Sequence, residues 1–205
     1  MAPFEEIMRE GGAVAIEQAG QFFMRSDPVH LSLKELTRRF HDLNIDYAVA
    51  GGMALVAHGY DRTTVDVDVL VTPNGLEAIH KSLDGLGYVH PFEGSKNLRD
   101  TATGVRIEFI VSGQFPGDGK PKPISFPEPA KVGIEIGGIV YVNLPTLVEL
   151  KLASGMTNPG RLRDLADVQE LIRVLALSED FTSQLNPYVH EKYRELWTAL
   201  QQAGE

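Results

Sequence analysis

The sequence predicts an α/β fold that is followed by a helical region. Residues 65–71 and 105–111 alternate apolar with polar side chains at a two-residue period, which is typical of half-buried strands. A shorter apolar run, residues 47–50, predicts a third strand and ends at a glycine pair. After Pro145 the strand patterns stop, and apolar residues recur at helical spacing. The sheet is therefore expected before Pro145 and a set of helices after it.

The remaining elements are predicted from capping residues, glycines and prolines. Ser32 with Glu35 forms a capping box, which predicts a helix that begins at Ser32. Residues 113–130 contain five prolines and three glycines and are expected to form a long loop, of the kind often found as a lid or binding loop. Further helices are predicted over residues 53–58, 76–86, 146–154, 162–177 and 182–202, a loop over residues 91–103, and a β-hairpin over residues 132–144. The predicted parts of the chain are an N-terminal helical extension (1–29), a core (30–144) and a C-terminal helical region (145–205).

The composition is that of a globular protein, since 43% of the 205 residues are hydrophobic and 23% are charged. The chain has no cysteine, which excludes disulfides, thiolate metal sites and a cysteine nucleophile. The net charge of −9 argues against a general nucleic-acid coat, because phosphate binding requires clustered positive charge. The acidic N-terminus, with no apolar segment behind it, does not resemble a signal peptide. We therefore expect a soluble, cytoplasmic protein with no membrane partner.

Two aspartates inside an otherwise apolar strand are the most informative feature. Asp66 and Asp68 are two residues apart, so they point to the same face of the strand, about 6.6 Å apart along it. Their charges repel each other, and folding alone gives no reason to place them beside Val67. A pair of divalent cations about 3.5–4 Å apart resolves this conflict, and Mg²⁺ favours carboxylates combined with substrate phosphates. The alternative is an ordinary solvated strand face.

A glycine pair supplies the complementary feature. Gly51 and Gly52 follow a strand and precede a helix, so that the backbone there can approach an anion closely. Together with the aspartates they predict a phosphate cradle beside a metal platform, whereas a glycine pair alone is more often a simple turn. A third carboxylate is expected on a later strand, and the candidates are Glu108 and Glu135. We favour Glu108, which lies in the longer apolar strand and nearer in sequence.

These residues resemble a known signature. The stretch from Val49 to Val71 resembles that of the polymerase-beta-like nucleotidyltransferase superfamily, in which Gly-Gly or Gly-Ser is followed, after a spacer, by Asp-x-Asp between apolar residues. The segment from Leu144 resembles the C-terminal region of the minimal and AbiEii-like branch, where a helix carries a Lys, followed by an Arg and a Lys/Arg-Asp-x-x-Asp pattern. The matching residues here are Lys151, Arg161, Arg163, Asp164 and Asp167. The resemblance covers about residues 45 to 176.

The resemblance implies a nucleotidyltransferase fold, with a small mixed sheet flanked by helices and a C-terminal helical segment. Asp66 and Asp68 would bind two Mg²⁺ ions. Glu108 would be the third catalytic carboxylate, would bind one metal ion and would help activate the acceptor hydroxyl. Gly51 and Gly52 would contact the β- and γ-phosphates of an NTP, although Gly52 stands where many relatives have a serine.

Two basic residues are further candidates for phosphate ligands. Arg62 and Lys151 would bind the nucleotide, and the alternative for Lys151 is a helix residue whose amine reaches solvent. Asp164 and Asp167 are expected to form ion pairs with Arg161 or Arg163 and so to fix their helix.

The implied activity is the Mg²⁺-dependent transfer of an NMP from an NTP to an acceptor hydroxyl, with release of pyrophosphate. Relatives act on small molecules such as antibiotics, on tRNA ends, or on partner proteins in toxin–antitoxin pairs. Arg161, Arg163 and Arg173 are balanced by nearby acidic residues, so a small-molecule or protein acceptor is favoured over tRNA. The alternative function is a catalytically silent relative that binds a nucleotide or a partner.

Overall fold

The computed structural model describes residues 3–10 and 12–203 of the chain. It contains a mixed seven-stranded sheet with helices packed against it. The strands are β1 (Tyr47–Val49), β2 (Asp66–Val71), β3 (Tyr88–Val89), β4 (Leu98–Asp100), β5 (Arg106–Val111), β6 (Gly133–Ile136) and β7 (Ile139–Val142). The helices are α1 (Phe4–Glu10), α2 (Gly12–Phe23), α3 (Pro28–Asp42), α4 (Gly51–Ala57), α5 (Pro73–Leu83), α6 (Pro129–Val132), α7 (Leu144–Thr157), α8 (Leu162–Val174) and α9 (His190–Ala203). Short 3₁₀ turns cover Pro159–Arg161, Glu179–Gln184 and Pro187–Val189.

The order of strands across the sheet is β3-β4-β5-β2-β1-β7-β6. The neighbours β2 and β5 are parallel, as are β1 and β7, and the other neighbouring pairs are antiparallel. The central strands β2 and β5 are paired over six residues each, from Asp66 opposite Arg106 to Val71 opposite Val111. This register fixes which side chains of the two strands are neighbours on each face.

One face of β2 and β5 belongs to the hydrophobic core. Val67, Val69, Ile107 and Phe109 are at most 1% exposed and point to that face. The same core includes Phe4 of α1 and Leu171 of α8, so residues from all three predicted parts of the chain pack together. The division at residues 29 and 144 stays a prediction. Across residues 3–10 and 12–203, no helix combines the length and the apolar character that a membrane crossing requires.

The predicted fold class is confirmed, because a mixed sheet flanked by helices is followed by helices α7 to α9. The strands predicted over residues 65–71 and 105–111 are β2 and β5, and the predicted hairpin is β6–β7. Its two-residue turn is Gly137-Gly138, and both residues have positive φ, as a tight hairpin turn requires.

Most predicted helices differ from the structure by up to three residues at their ends, as for α5, which was predicted over residues 76–86 and covers Pro73–Leu83. Three differences are larger or change the type of element. Helix α3 begins at Pro28 rather than Ser32, because the buried Asp27 side chain accepts hydrogen bonds from the backbone N–H groups of Val29 and His30. Short strands β3 and β4 border and interrupt the loop predicted over residues 91–103. The helix predicted over residues 182–202 is regular only from His190, since 3₁₀ turns precede it.

Candidate active site

The pairing of β2 with β5 gathers charged side chains on the face opposite the core. Asp68 lies opposite Glu108, and Asp66 lies opposite Arg106. All four residues are partly exposed, whereas the residues between them are buried. The structure therefore brings the three predicted carboxylates to one face of two adjacent strands, and it adds an arginine that the sequence analysis did not assign to the site.

The glycine pair lies directly against these carboxylates. Strand β1 ends at Val49, and α4 begins at Gly51, whose φ is +56°. A Cβ atom on Gly51 would lie 1.7 Å from Oδ2 of Asp68, so no other residue fits there. A Cβ atom on Gly52 would lie 2.6 Å from Oγ1 of Thr64. The glycine turn and the aspartate strand are thus in contact, as the sequence predicted.

The negative charges on this face are only partly compensated. Asp66 accepts a hydrogen bond of 2.8 Å from the Thr64 hydroxyl, and Glu108 is 2.6 Å from Nη2 of Arg106. Burial, together with the neighbouring charges of Asp66 and Glu108, raises the pKa of Asp68 to about 7. The site therefore carries more negative charge than its protein surroundings stabilise, which is typical of a site that binds cations.

The donor set fits a hard divalent cation such as Mg²⁺, because it consists of carboxylate oxygens on one face. The position of Asp68 directly opposite Glu108, two like charges on neighbouring strands, supports the same fit. In the described ranges, 3–10 and 12–203, no three His, Cys, Asp or Glu side chains are gathered closely enough to hold a metal ion as they stand. Arg106 contacts two of the three carboxylates on this face, Glu108 at 2.6 Å and Asp66 at 3.5 Å.

A second cluster of charges joins α7 and α8 beside this face. Lys151 is buried, with 9% of the residue exposed. Its Nζ atom is 3.0 Å from Oδ1 of Asp164 and 2.7 Å from Oδ2 of Asp167. Arg62 reaches the other oxygen of Asp167 at 2.6 Å. Arg161 is 2.8 Å from Asp164. Both predicted phosphate ligands, Arg62 and Lys151, are therefore placed at the site and are already paired with aspartates.

In this second cluster the negative charge of the buried carboxylate is compensated, whereas on the sheet face it is only partly compensated. Burial alone would raise the pKa of Asp164, but Lys151, the Ser154 hydroxyl and Arg161 together lower it below its ordinary value. The expectation that Asp164 pairs with Arg161 is confirmed. The expectation for Asp167 is wrong, because its partners are Lys151 and Arg62 rather than Arg161 or Arg163.

Two clefts meet at the carboxylates. A polar cleft of about 390 Å³ lies on the side of Gly52, Arg62 and Arg163. A mixed cleft of about 420 Å³ lies on the other side and has an aromatic and aliphatic lining, formed by Ile110, Phe115, Phe126, Leu147 and Leu150. Gly51, Asp68 and Glu108 line both clefts. Molecules bound in the two clefts would therefore meet at these carboxylates.

The proline-rich segment 113–130 forms part of the wall of the mixed cleft. The side-chain amide of Asn158, next to α7, donates a hydrogen bond of 3.2 Å to the carbonyl of Gly117. A Cβ atom on Gly117 would lie 2.2 Å from Oγ1 of Thr157, so the segment is packed closely on α7. In this structure the segment is a packed wall, and its role as a lid or binding loop stays a prediction.

Two residues correct or complete the predicted site. Glu135, the second candidate for a third carboxylate, lies exposed on the edge strand β6 and lines neither cleft. Arg106 was missed, although strict alternation places it two residues before Glu108 and on the same face. The alternation was therefore a usable signal for Arg106.

No protein-family model and no curated protein matches the chain. Solved structures similar to it include ANT(2″)-Ia in complex with adenylyl-2″-tobramycin, with 11% identity, a TM-score of 0.49, and coverage of 77% of this chain and 92% of that one. An antigenic nucleotidyltransferase-like protein from Paracoccidioides brasiliensis has 17% identity and a TM-score of 0.47, with coverage of 83% and 91%. A candidate nucleotidyltransferase from H. pylori has 17% identity and a TM-score of 0.44, with coverage of 75% and 73%.

Proposed function

We propose that this protein is a nucleotidyltransferase that moves an NMP from an NTP to an acceptor hydroxyl and releases pyrophosphate. The observation that carries the proposal is the parallel register of β2 and β5, which places Asp66, Asp68 and Glu108 on one face. The contact between Gly51 and Asp68 adds a close backbone approach at the same point. Phosphoryl-group transfer uses carboxylates that bind metal ions and a backbone turn that a phosphate can approach.

Asp66, Asp68 and Glu108 would hold two Mg²⁺ ions in this proposal. Bound there, the ions would polarise the α-phosphate and stabilise the charge on the leaving pyrophosphate oxygen. The bond from the acceptor oxygen to the α-phosphorus forms while the bond from that phosphorus to the leaving oxygen breaks. Glu108, which lines both clefts, would accept the hydroxyl proton.

We propose that each of the two clefts binds one of the two substrates. The polar cleft offers Gly52, Arg62 and Arg163 and would take the triphosphate. The mixed cleft would take the acceptor, with its apolar part against Phe115 and Phe126. The volume of about 420 Å³ suits a small molecule or a single protein side chain, which we favour over tRNA.

An acceptor with several positive charges is not favoured by the mixed cleft. Its three acidic residues, Asp68, Glu108 and Asp164, are matched in number by three basic residues of the same lining, which are Lys96, Lys151 and Arg161. A hydroxyl compound with an apolar or aromatic part is the better match.

Membership of the AbiEii-like branch, a role in a toxin–antitoxin pair and a cytoplasmic location remain parts of the proposal.

A second candidate function is supported by one specific observation. Arg106 occupies the space between Asp66 and Glu108, and the carboxylates are not closed around a metal position. A catalytically silent protein that binds a nucleotide or a partner would have the same appearance.

Transfer of label decides between the two functions. The purified protein is incubated with each α-³²P-labelled NTP, Mg²⁺ and a crude lysate, and label on protein, RNA or small molecules is measured. We expect Asp66→Ala/Asp68→Ala and Glu108→Ala to reduce transfer to background. Glu135→Ala is the matched control, since it removes a carboxylate from an exposed edge strand, and it should retain full transfer.

The outcomes of this experiment separate the proposals clearly. Full transfer by Asp66→Ala/Asp68→Ala would refute the assigned site. No transfer by the wild-type protein, combined with Mg²⁺-dependent NTP binding, would favour the silent binding protein. The labelled fraction would at the same time identify the class of acceptor.

A further inference from the structure

Arg106 contacts the same carboxylates that the proposed metal site requires. Its Nη2 atom is 2.6 Å from Oε1 of Glu108 and 3.5 Å from Oδ2 of Asp66. The contact follows from the fold, because Arg106 shares a face with Glu108 on β5 and lies opposite Asp66 on β2. A guanidinium is always protonated, so Arg106 carries its positive charge at any working pH.

The arrangement of Arg106 leaves one of its own donors without a partner. Its Nε–H is buried, and no described residue accepts a hydrogen bond from it. Arg106 also lines the polar cleft, together with Arg62 and Arg163. An anion in that cleft would offer acceptors to the guanidinium. The carboxylates are thus one set of partners for Arg106, and a bound phosphate would be another.

We propose that Arg106 and divalent cations compete for Asp66 and Glu108. In the nucleotide-free protein Arg106 occupies these carboxylates and keeps the affinity for metal low. A metal–nucleotide complex brings both the cation that replaces Arg106 and the phosphate that receives it, so metal and nucleotide bind together. This inference rests on the proposed function, because it assigns the metal ions to the same carboxylates.

Mn²⁺ binding to the nucleotide-free protein tests this competition without any measurement of activity. Free Mn²⁺ is followed by its EPR signal during titration of the wild-type protein and its variants. Arg106→Met removes the charge and keeps much of the apolar stem, and we expect Mn²⁺ to bind at least about tenfold more tightly than to the wild type. Arg106→Lys restores a positive charge at the same position, and we expect its affinity to return to within about threefold of the wild type.

Arg163→Met is the matched control. Arg163 lines the same polar cleft and is exposed, and the ion pairs of Asp66 and Glu108 are made by Arg106. The control removes the same charge from the cleft without removing the contact. We expect its Mn²⁺ affinity to change by less than about threefold, because screened charges beyond contact distance interact weakly. Circular dichroism and thermal unfolding confirm that each variant is folded.

The outcomes distinguish this inference from the function on which it rests. An equal gain in affinity for Arg106→Met and Arg163→Met would overturn the competition and leave only a general effect of charge. Unchanged affinity in Arg106→Met would also overturn it, while a loss of Mn²⁺ binding in Asp66→Asn would show that the metal site itself is correctly assigned. If Mn²⁺ binding to the wild type does not depend on Asp66 even with ATP present, both the inference and the metal site are wrong.

Discussion

The carboxylates of the sheet and those of the C-terminal helices line the same polar cleft, but their charges are balanced in opposite ways. Asp164 has Lys151, Ser154 and Arg161 as partners, and its pKa is lowered in spite of burial. Burial and the charges of Asp66 and Glu108 outweigh the opposing charges of Lys151 and Arg161 at Asp68, and together they raise its pKa to about 7. We call the cluster of Arg62, Lys151, Arg161, Asp164 and Asp167 the balanced region, because its negative charges are compensated. The sheet face with Asp66, Asp68 and Glu108 is the unbalanced region, because its negative charges are only partly compensated.

This difference indicates which region holds the structure together and which one is available for a ligand. A buried ion pair with all partners present fixes the position of its helix, and removal of one partner leaves a buried charge behind. Carboxylates that lie opposite each other repel, and such an incompletely compensated group is typical of a binding or catalytic site. Stability measurements can therefore tell the two regions apart before any substrate is known.

The largest expected effect on stability is in the balanced region. Lys151→Met removes the cation that Asp164 and Asp167 share. Because Arg161 and Arg62 still pair with them, we expect a loss of about 3 kcal/mol in the free energy of unfolding, the lower end of the range for a broken buried ion pair. Denaturant unfolding measures this loss. Lys96→Met is the control, because Lys96 is exposed at the mixed cleft, and it should change stability by less than about 0.5 kcal/mol. Equal effects of the two substitutions would contradict a structural role for Lys151.

The contact between the glycine turn and the unbalanced region gives the next largest effect. Gly51→Ala combines a left-handed backbone with a Cβ placed 1.7 Å from Asp68, and we expect a loss of about 2–3 kcal/mol. Gly119→Ala is matched in backbone, since Gly119 has a φ of +72° and nothing within 4 Å of its Cβ position. That control should lose only about 1 kcal/mol, which is the backbone part alone. A Gly51→Ala variant no less stable than Gly119→Ala would rule out the close approach.

Much of the sheet region could be predicted from the sequence, because its signals are local. Two-residue alternation assigns Asp66 and Asp68 to one face, and likewise Arg106 and Glu108. The sequence does not state that β2 and β5 are neighbours, and only that pairing places Glu108 beside Asp68. The resemblance to a known signature supplied the expectation that Glu108 is the third carboxylate, but it did not state which strands pair.

The balanced region could be predicted only in part, because the pair of Arg161 with Asp164 is local in sequence and other contacts are not. Arg62 pairs with Asp167 across 105 residues, and no periodicity connects them.

The predicted start of α3 was wrong for a different reason. Two capping signals compete there, and Asp27 with Pro28 prevails over the local capping box at Ser32 and Glu35.

Another buried carboxylate, Asp27, lines neither cleft and extends the comparison. Asp27 caps α3, and although burial alone would raise its pKa, hydrogen bonds from His30 and from the backbone of Val29 lower it. We expect Asp27→Ala to lose about 1–2 kcal/mol of stability, and Asp27→Asn, which keeps a capping oxygen, to lose less. Because the folded pKa of Asp27 is below the unfolded value of about 3.9, the stability contributed by its charge is complete above that value. The difference between wild type and Asp27→Asn should therefore shrink as the pH falls through the folded pKa, and a difference that grows in acid would contradict the assignment.

The smallest expected effect has the opposite sign and separates the two regions most directly. Asp68→Asn removes one of three neighbouring negative charges and keeps the shape of the side chain. Since like charges opposite each other on one sheet face destabilise it by up to about 1 kcal/mol, the variant should be as stable as the wild type or slightly more stable. Denaturant unfolding without divalent metal is the measurement, and Asp164→Asn is the matched control in the balanced region, where a clear loss is expected. If Asp68→Asn destabilised the protein as much as Asp164→Asn, Asp68 would be a structural carboxylate, and the case for a cation site on this face would fail with it.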